Sequence, residues 1–316
     1  MNIRPFDWRD LPILHRYRNQ GLFFDSASVL TRGMMLVPAG ALLSYFSPAT
    51  GIFTYLCDGG QSGDLPLLGQ VVHSTGAAYA RLSFLAPESA LDSGELSVLL
   101  DRIALHVGER GAFHILAEID EHSPAFDALH RSGFAIYARQ RIWQLNGVPV
   151  AKAQPTPWLA CTSKDLTEAH SLYNNVVPGL VQQAEPFPRH RLRGLIYYQE
   201  VDIIAYVEYR YGSRGIWVQP FIHPDAGDFV GDLVDMLQAL PNRRSRPVYL
   251  CIRSYQSWLE ATVKEMGAQP GPIQAVMVRH LAISRRLTQP LSIPAMNGSR
   301  AEPTVPVAHI EQKNNL

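Results

Sequence analysis

The sequence contains little of what marks a secreted, metal-binding or membrane protein. It has only 3 cysteines among 316 residues, and Cys57, Cys161 and Cys251 stand too far apart for a metal-ligand motif, which favours buried thiols in a reducing compartment. No stretch approaches the roughly eighteen apolar residues of a membrane span, and the charged N-terminal stretch lacks the apolar core of a secretory signal. Lys plus Arg and Asp plus Glu number 28 each, so the basic field that non-specific nucleic-acid binding requires is missing. We therefore expect a cytoplasmic protein that binds no metal, nucleic acid or membrane.

One unit of strands and helices occurs twice along the chain. In each copy, three stretches rich in β-branched and aromatic residues are separated by turn residues, which predicts three consecutive strands. The third stretch ends at Pro87 or Pro224, and the following apolar residues, including Leu96 or Leu233, keep helical spacing. A strand, a short helix, a glycine and a last strand complete each copy. The order β-α-β-β-β-α-β-α-β, met twice, predicts an α/β fold of the α+β type.

The two copies predict two domains, each a mixed, mostly antiparallel twisted sheet flanked by helices. Residues 1–146 form the first domain and residues 160–283 the second. The prolines and small residues of 147–159 are typical of a linker, whereas 284–316, which is polar and without apolar periodicity, is predicted to be a disordered tail. Gly133 and Gly267 fit the position after a helix where the backbone turns left-handed.

With the elements in this order, both copies resemble the GNAT superfamily of acyl-CoA-dependent N-acyltransferases. The resemblance is carried by "FLAPE" at 84–88 and "FIHPD" at 221–225, each followed by a long helix, and by "GF" at 133–134 after the short helix. In that family, the start of the long helix holds the cofactor pyrophosphate, and the next strand splays away to leave a wedge for the pantetheine arm. The resemblance covers about residues 3–145 and 160–282, so the chain is similar to tandem members.

The resemblance implies acetyl-CoA or another acyl-CoA as co-substrate, and one set of cofactor-binding residues in each copy. Residues at the strand ends would offer backbone groups to pantetheine, and one glycine in each copy would lie near the pyrophosphate. These residues are Ser83, Phe84, Leu85 and Gly94 in the first copy, and Phe221, Ile222 and Gly231 in the second.

Two features depart from the family pattern. The loops before the long helices read "PESALDSGEL" and "PDAGDFVGDL" instead of Arg/Gln-x-x-Gly-x-Gly/Ala. Carboxylates there compete for the positive end of the helix, and we interpret them as helix caps. The tyrosine that protonates the CoA thiolate in the family is replaced by Leu129 or Val263. The acidic loop residues are Glu88, Asp92 and Glu95, then Asp225, Asp228 and Asp232.

The candidate catalytic residues are His122, Glu118 and Asp120, which crowd the end of a strand in the first copy. His122 is the most attractive general base because imidazole titrates near neutrality. The alternative interpretation is local, since His122 directly precedes a helix N-cap at Ser123. In the second copy, strict alternation sets three polar residues on one strand face, either as an amine-binding set or as the polar face of a sheet. They are Tyr206, Glu208 and Arg210.

The sequence leaves two functions open. The first, which we favour, is an N-acyltransferase that moves an acetyl or other acyl group from acyl-CoA to the amine of a small molecule or peptide. The first copy is the expected active half, because it keeps the "GF" end and a small residue, Ala125, in the short helix. The second is an inactive ligand-binding or partner-binding scaffold, which the acidic loops and the missing tyrosine favour. The acceptor amine would be determined by the loops around residues 20–50 and 174–190.

Overall fold

A single sheet runs through both halves of the chain. The computed structural model describes residues 2–17, 19–34, 40–41, 50–58, 66–92, 94–146, 156–188, 192–226 and 230–281. The predicted tail, most of the predicted linker and Asp228 lie outside these ranges, and the domain boundaries stay predictions. The strands are β1 (Asn2–Pro5), β2 (Leu22–Phe23), β3 (Ile52–Asp58), β4 (Leu67–Val72), β5 (Tyr79–Ala86), β6 (His114–Asp120), β7 (Ala135–Leu145), β8 (Trp158–Ala160), β9 (Gly194–Gln199), β10 (Asp202–Tyr211), β11 (Ile216–Ile222), β12 (Val248–Arg253) and β13 (Gln269–His280).

The helices follow the predicted apolar spacing where it was strongest. The long helix after Pro87 places five apolar side chains in the core: Leu96, Leu99, Leu100, Ile103 and Val107. Among the described residues, no helix is long and apolar enough to cross a membrane. The helices are α1 (Leu11–Tyr17), α2 (Ser26–Arg32), α3 (Glu95–Glu109), α4 (Pro124–Arg131), α5 (Leu166–Val176), α6 (Gly179–Ala184), α7 (Val230–Ala239) and α8 (Leu259–Glu265).

The two halves exchange their last strands. The strand order is β1-β3-β4-β5-β6-β13-β7-β12-β11-β10-β9-β8, with β2 paired to β5. The last strand of the second half, β13, therefore lies between β6 and β7 of the first half, and β7 pairs with β12 of the second. Because each half contributes a strand to the other, the predicted mixed, mostly antiparallel sheets are joined into one.

Each half contains one pair of parallel strands that separate part-way along their length. In the first half, β5 and β6 pair only at Tyr79–Arg81 with His114–Leu116. In the second half, β11 and β12 pair only at Ile216–Val218 with Val248–Leu250. Beyond these residues the strands splay. We call the gap between residues 83–86 and 117–120 the first wedge, and the gap between 219–222 and 251–253 the second wedge.

Helices cover both faces of the sheet. On one face, α3 and α4 pack on the first half, and α7 and α8 on the second. On the other face, α5 and α6 pack against Tyr206 and Phe221, and α2 packs against Trp217 and Cys251. This second face is concave, because Tyr79 of β5 and Arg210 of β10 line one pocket although five strands separate them.

The glycine stops predicted after the short helices are confirmed. Gly133 has φ +86° and Gly267 φ +81°, and the next residue in each case donates its N–H to a carbonyl five residues back, in Leu129 or Val263. This is the Schellman arrangement. It turns the chain sharply from α4 into β7 and from α8 into β13, which starts the two exchanged strands.

Candidate functional site

The first wedge is filled by the chain itself. Residues 20–26, which we call the plug segment, connect α1 to α2 and include β2. Leu22 and Phe23 pair antiparallel with Leu85 and Phe84 of β5. The Phe24 N–H then donates to the Ser83 carbonyl at 3.1 Å, and the Phe24 carbonyl accepts from the Glu118 N–H of β6 at 2.9 Å. The plug segment thus bridges both splayed strands.

The plug segment follows the edge of β5 to the start of the loop before α3. The Glu88 N–H donates to the Gln20 carbonyl at 2.8 Å, so the paired edge of β5 and its continuation runs from Ser83 to Glu88. A glycine is needed beside it, because a Cβ on Gly21 would lie 2.0 Å from the ring of Phe84. Phe24 is only 1% exposed. The hydrogen-bonding groups that the family resemblance assigned to pantetheine are therefore taken by the protein's own backbone.

The second wedge has no such segment in the described part of the chain. No backbone from a third segment pairs with residues 219–222 there. The carbonyl of Ile222 accepts from the side chain of Gln256 at 3.2 Å. Pro220 has no N–H, so this edge offers one donor fewer than an ordinary strand. Among the described residues, the second wedge is therefore the less filled of the two.

A pocket of about 90 Å³ opens beside the second wedge on the concave face. We call it the inner pocket. Gln219 and Phe221 of β11 form one wall, and Tyr255, two residues after the end of β12, forms another. The first half contributes Tyr79. The complete lining is Tyr79, Tyr173, Val181, Glu185, Pro186, Phe187, Pro188, Tyr206, Glu208, Arg210, Gln219, Phe221 and Tyr255.

A buried ion cluster lies behind the inner pocket and joins the two halves. Glu185, which follows α6, accepts from Arg253 at 2.7 Å and from Arg81 at 3.2 Å, and also from the hydroxyl of Tyr137. Arg81 continues to Glu118 at 3.1 Å. The side chains of Glu118 and Arg253 are each 3% exposed. The cluster therefore runs from the first wedge to the second.

The ions of this cluster stay charged when they are buried. Burial alone would raise the pKa of the Glu185 carboxyl, but Arg253, Arg81 and the Tyr137 hydroxyl lower it to about 2. Burial likewise lowers the pKa of Arg253, but Glu185 and Tyr137 outweigh it and raise that pKa well above its ordinary value. The charged form of each side chain is therefore stabilised by the neighbouring ions and hydrogen bonds rather than by water.

The plug segment is tied to this cluster. The Ser26 N–H donates to the second carboxylate oxygen of Glu118 at 3.1 Å, and the Ser26 hydroxyl donates to Gln274 at 3.2 Å. Gln274 also accepts from Gln140 at 2.9 Å, and the Cys251 thiol donates to Gln140 at 3.2 Å. A second cavity, of about 340 Å³, lies beside these residues between α2 and the strands β7, β12 and β13.

The three predicted catalytic residues lie together at the splayed end of β6, in different environments. Glu118 is buried in the ion cluster. Asp120 accepts from the His122 N–H at 2.9 Å, and His122 is exposed immediately before Ser123, whose hydroxyl caps α4. The local capping interpretation of His122 thus has a visible basis. No observation assigns any of the three a catalytic role.

The predicted cofactor-binding residues are placed at the ends of the two wedges. Ser83, Phe84 and Leu85 pair with the plug segment. Gly94 is the N-cap residue of α3, with open space where a Cβ would stand. In its loop, Asp92 pairs with Arg131 of α4. On the second wedge, Phe221 and Ile222 end β11, and Gly231 lies in the first turn of α7.

Sequence reasoning missed the plug segment and the ion cluster, although both leave a trace. The apolar stretch "GLFF" at 21–24 precedes a capping Asp-Ser pair, a pattern that predicts a short strand before a helix. Arg81 and Arg253 are charged residues at positions in otherwise apolar strands, and such charges are almost always paired.

The comparisons with known proteins agree with this architecture. The sequence matches no protein-family model, and no curated protein matches it significantly. Among solved structures, a GCN5-related N-acetyltransferase from Sphaerobacter thermophilus superposes with a TM-score of 0.55 at 10% identity, covering 89% of this chain and 95% of that one. A tandem GNAT protein from the clavulanic acid biosynthesis pathway superposes with a TM-score of 0.51 at 13% identity, covering 89% and 98%. The chain therefore has the fold of the GNAT acetyltransferases.

Proposed function

We propose that the protein is an acyl-CoA-dependent N-acyltransferase and that acyl-CoA enters the second wedge. One observation carries the choice of wedge. In the described residues, the splayed edge of β11 has no third backbone segment on it, whereas the edge of β5 is paired with the plug segment from Ser83 to Glu88. A pantetheine arm needs such a strand edge for its amide groups.

The second wedge has residues suited to the reaction. The amine nitrogen attacks the thioester carbonyl carbon, a C–N bond forms, and the C–S bond breaks to release the CoA thiolate. Tyr255, at the end of β12, is the proposed acid that protonates this sulfur. Burial raises the pKa of its hydroxyl, which keeps the proton in place at neutral pH. Glu208, in the same pocket, is the proposed acceptor of the amine proton through one water.

The candidates of the first half remain the prediction for any activity of the first wedge. Glu118, Asp120 and His122 would act there only after the plug segment had left. That departure would break the backbone hydrogen bonds of Phe24 and expose a side chain that is now buried. We therefore place the reaction in the second wedge first.

A pair of matched glycine substitutions tests the assignment. Gly231→Glu places a carboxylate in the first turn of α7, where it would repel a bound pyrophosphate. Gly94→Glu makes the same change at the start of α3, where a new side chain meets no atom within 4 Å. The full chain is titrated calorimetrically with acetyl-CoA and with unreactive desulpho-CoA. We expect one site per chain, lost in Gly231→Glu and unchanged in Gly94→Glu.

Two other results of the titration would contradict the proposal. Loss of binding in Gly94→Glu alone would move the site to the first wedge and refute our choice. Absence of heat with either ligand, in a chain that unfolds cooperatively, would refute the enzyme. It would favour the scaffold hypothesis, for which the acidic loops and the self-filled wedge already argue.

A further inference from the structure

The acidic groups around the inner pocket are already occupied. Both carboxylate oxygens of Glu185 accept hydrogen bonds within the ion cluster, and those of Glu118 accept from Arg81 and from the Ser26 N–H. Glu208 accepts from Arg210 at 3.0 Å. Only the second oxygen of Glu208 has no bond to a described residue. The carboxylates of the pocket thus leave this one Glu208 oxygen for a ligand.

Hydrogen-bond donors, in contrast, are in surplus there. Arg210 uses its Nε for Glu208, and its two terminal Nη groups have no partner among the described residues. The same holds for the hydroxyls of Tyr79 and Tyr255, which also line the pocket. Behind the wall, the Nε and one Nη of the buried Arg253 are unpartnered as well. The Arg210 side chain is 41% exposed, so its two Nη groups are accessible to a ligand that enters the pocket, and such donors favour a ligand rich in acceptors.

The pocket also limits the size of the ligand. Its volume is about 90 Å³, against about 340 Å³ for the cavity beside α2. The inner pocket therefore suits a small ligand. Tyr206 and Phe221 stack at 5.8 Å along one wall, and such aromatic walls strengthen charged contacts by excluding water.

From these contacts we infer that the inner pocket binds the carboxylate of a small amino-acid-like ligand, with the free fork of Arg210 on the carboxylate and Glu208 on the ammonium group. Arginine matches a carboxylate with two parallel hydrogen bonds, which a lysine cannot do. The ligand class deepens the acyl transfer proposed above, since the ammonium group would supply the acceptor nitrogen. The binding itself requires no acyl-CoA.

Three small probes separate the two charges of such a ligand. L-Alanine carries both groups, propionate only the carboxylate, and ethylamine only the ammonium. The full chain is titrated with each by calorimetry at pH 7 without acyl-CoA. We expect saturable binding of alanine and propionate, and none of ethylamine. Arg210→Gln should weaken both carboxylate ligands at least tenfold. Arg102→Gln, an exposed change of the same charge on α3, should leave them unchanged.

A conservative variant distinguishes the loss of the carboxylate contact from a folding defect. Arg210→Lys keeps the positive charge but loses the fork, and it should weaken alanine and propionate severalfold. The inference is overturned if ethylamine binds as tightly as alanine, if no probe binds, or if Arg210→Gln binds as the wild type does. Because no acyl-CoA is present, these results are independent of the glycine test of the second wedge, and the two proposals can fail separately.

Discussion

Replacing Glu185 with glutamine should remove the one carboxylate that contacts Arg253 among the described residues. The pKa of Glu185 falls from an ordinary value of 4.5 to about 2 in the folded protein. At roughly 1.4 kcal/mol for each pKa unit, that difference is worth about 3 kcal/mol of stability at pH 7. Removing one member of a buried ion pair costs about 3–5 kcal/mol in general. The two figures agree, and we expect Glu185→Gln to lower the free energy of unfolding by about 3 kcal/mol.

Urea unfolding followed by tryptophan fluorescence measures this loss. Glu121→Gln is the matched control, because its carboxylate pairs with Arg139 at a position where the arginine side chain is 54% exposed. A surface pair of this kind contributes about 0–1 kcal/mol. The wild type and the two variants are compared at pH 7 under the same ionic strength.

The same comparison has a defined pH dependence. Because the folded pKa of Glu185 lies below its unfolded value, its stabilisation is complete above the unfolded pKa of about 4.5 and is lost as the pH falls toward 2. Glutamine has no such titration, so the difference between Glu185→Gln and the wild type should shrink over that range. A loss below about 1 kcal/mol at pH 7, equal to that of Glu121→Gln, would refute the ion cluster as a buried link between the halves.

Two further substitutions test the wedges. Phe24→Ala should lower the free energy of unfolding by about 3–5 kcal/mol, since the ring is buried in the first wedge; a loss below about 1 kcal/mol in urea unfolding would contradict the packing of the plug segment. Tyr255→Phe should lower kcat by roughly 10²–10⁴-fold with little change in acyl-CoA binding. Tyr209→Phe is the control, because Tyr209 lies on the face of β10 opposite to Glu208 and Arg210, and it should leave kcat unchanged. Equal rates for both tyrosine variants would exclude Tyr255 as the acid.

Much of the fold could be predicted because both copies follow simple periodicities. The stretch "HILAEI" became β6, and the glycines after the short helices adopt the left-handed conformation that closes them. The exchange of β7 and β13 could not be predicted. Both follow a Schellman turn and pair antiparallel with their neighbours, and the local pattern of each fits an antiparallel partner of β6. Which one pairs there depends on contacts between the halves, which no local pattern records.

The candidate site was predictable only in part, because it too depends on contacts between distant parts of the chain. Residues 83–85 and 221–222 lie at the ends of their strands, as the following prolines indicate, and their contact with a cofactor stays a prediction. What fills a wedge depends on a segment about sixty residues earlier in the chain. Arg81 and Arg253 lie on strands of different halves and share Glu185, so no local pattern points to the carboxylate that neutralises them.

The strand exchange and the ion cluster together connect the filled first wedge to the inner pocket. Arg81 pairs with Glu118 inside the first half and Arg253 pairs with Glu185 inside the second, and the contact of Arg81 with Glu185 joins the two pairs. The plug segment completes this arrangement, because Ser26 occupies the oxygen of Glu118 that Arg81 leaves free. A closed first wedge therefore supports the ions that form the back of the inner pocket. Under the proposed function, the first half would act as the rigid support of a site in the second.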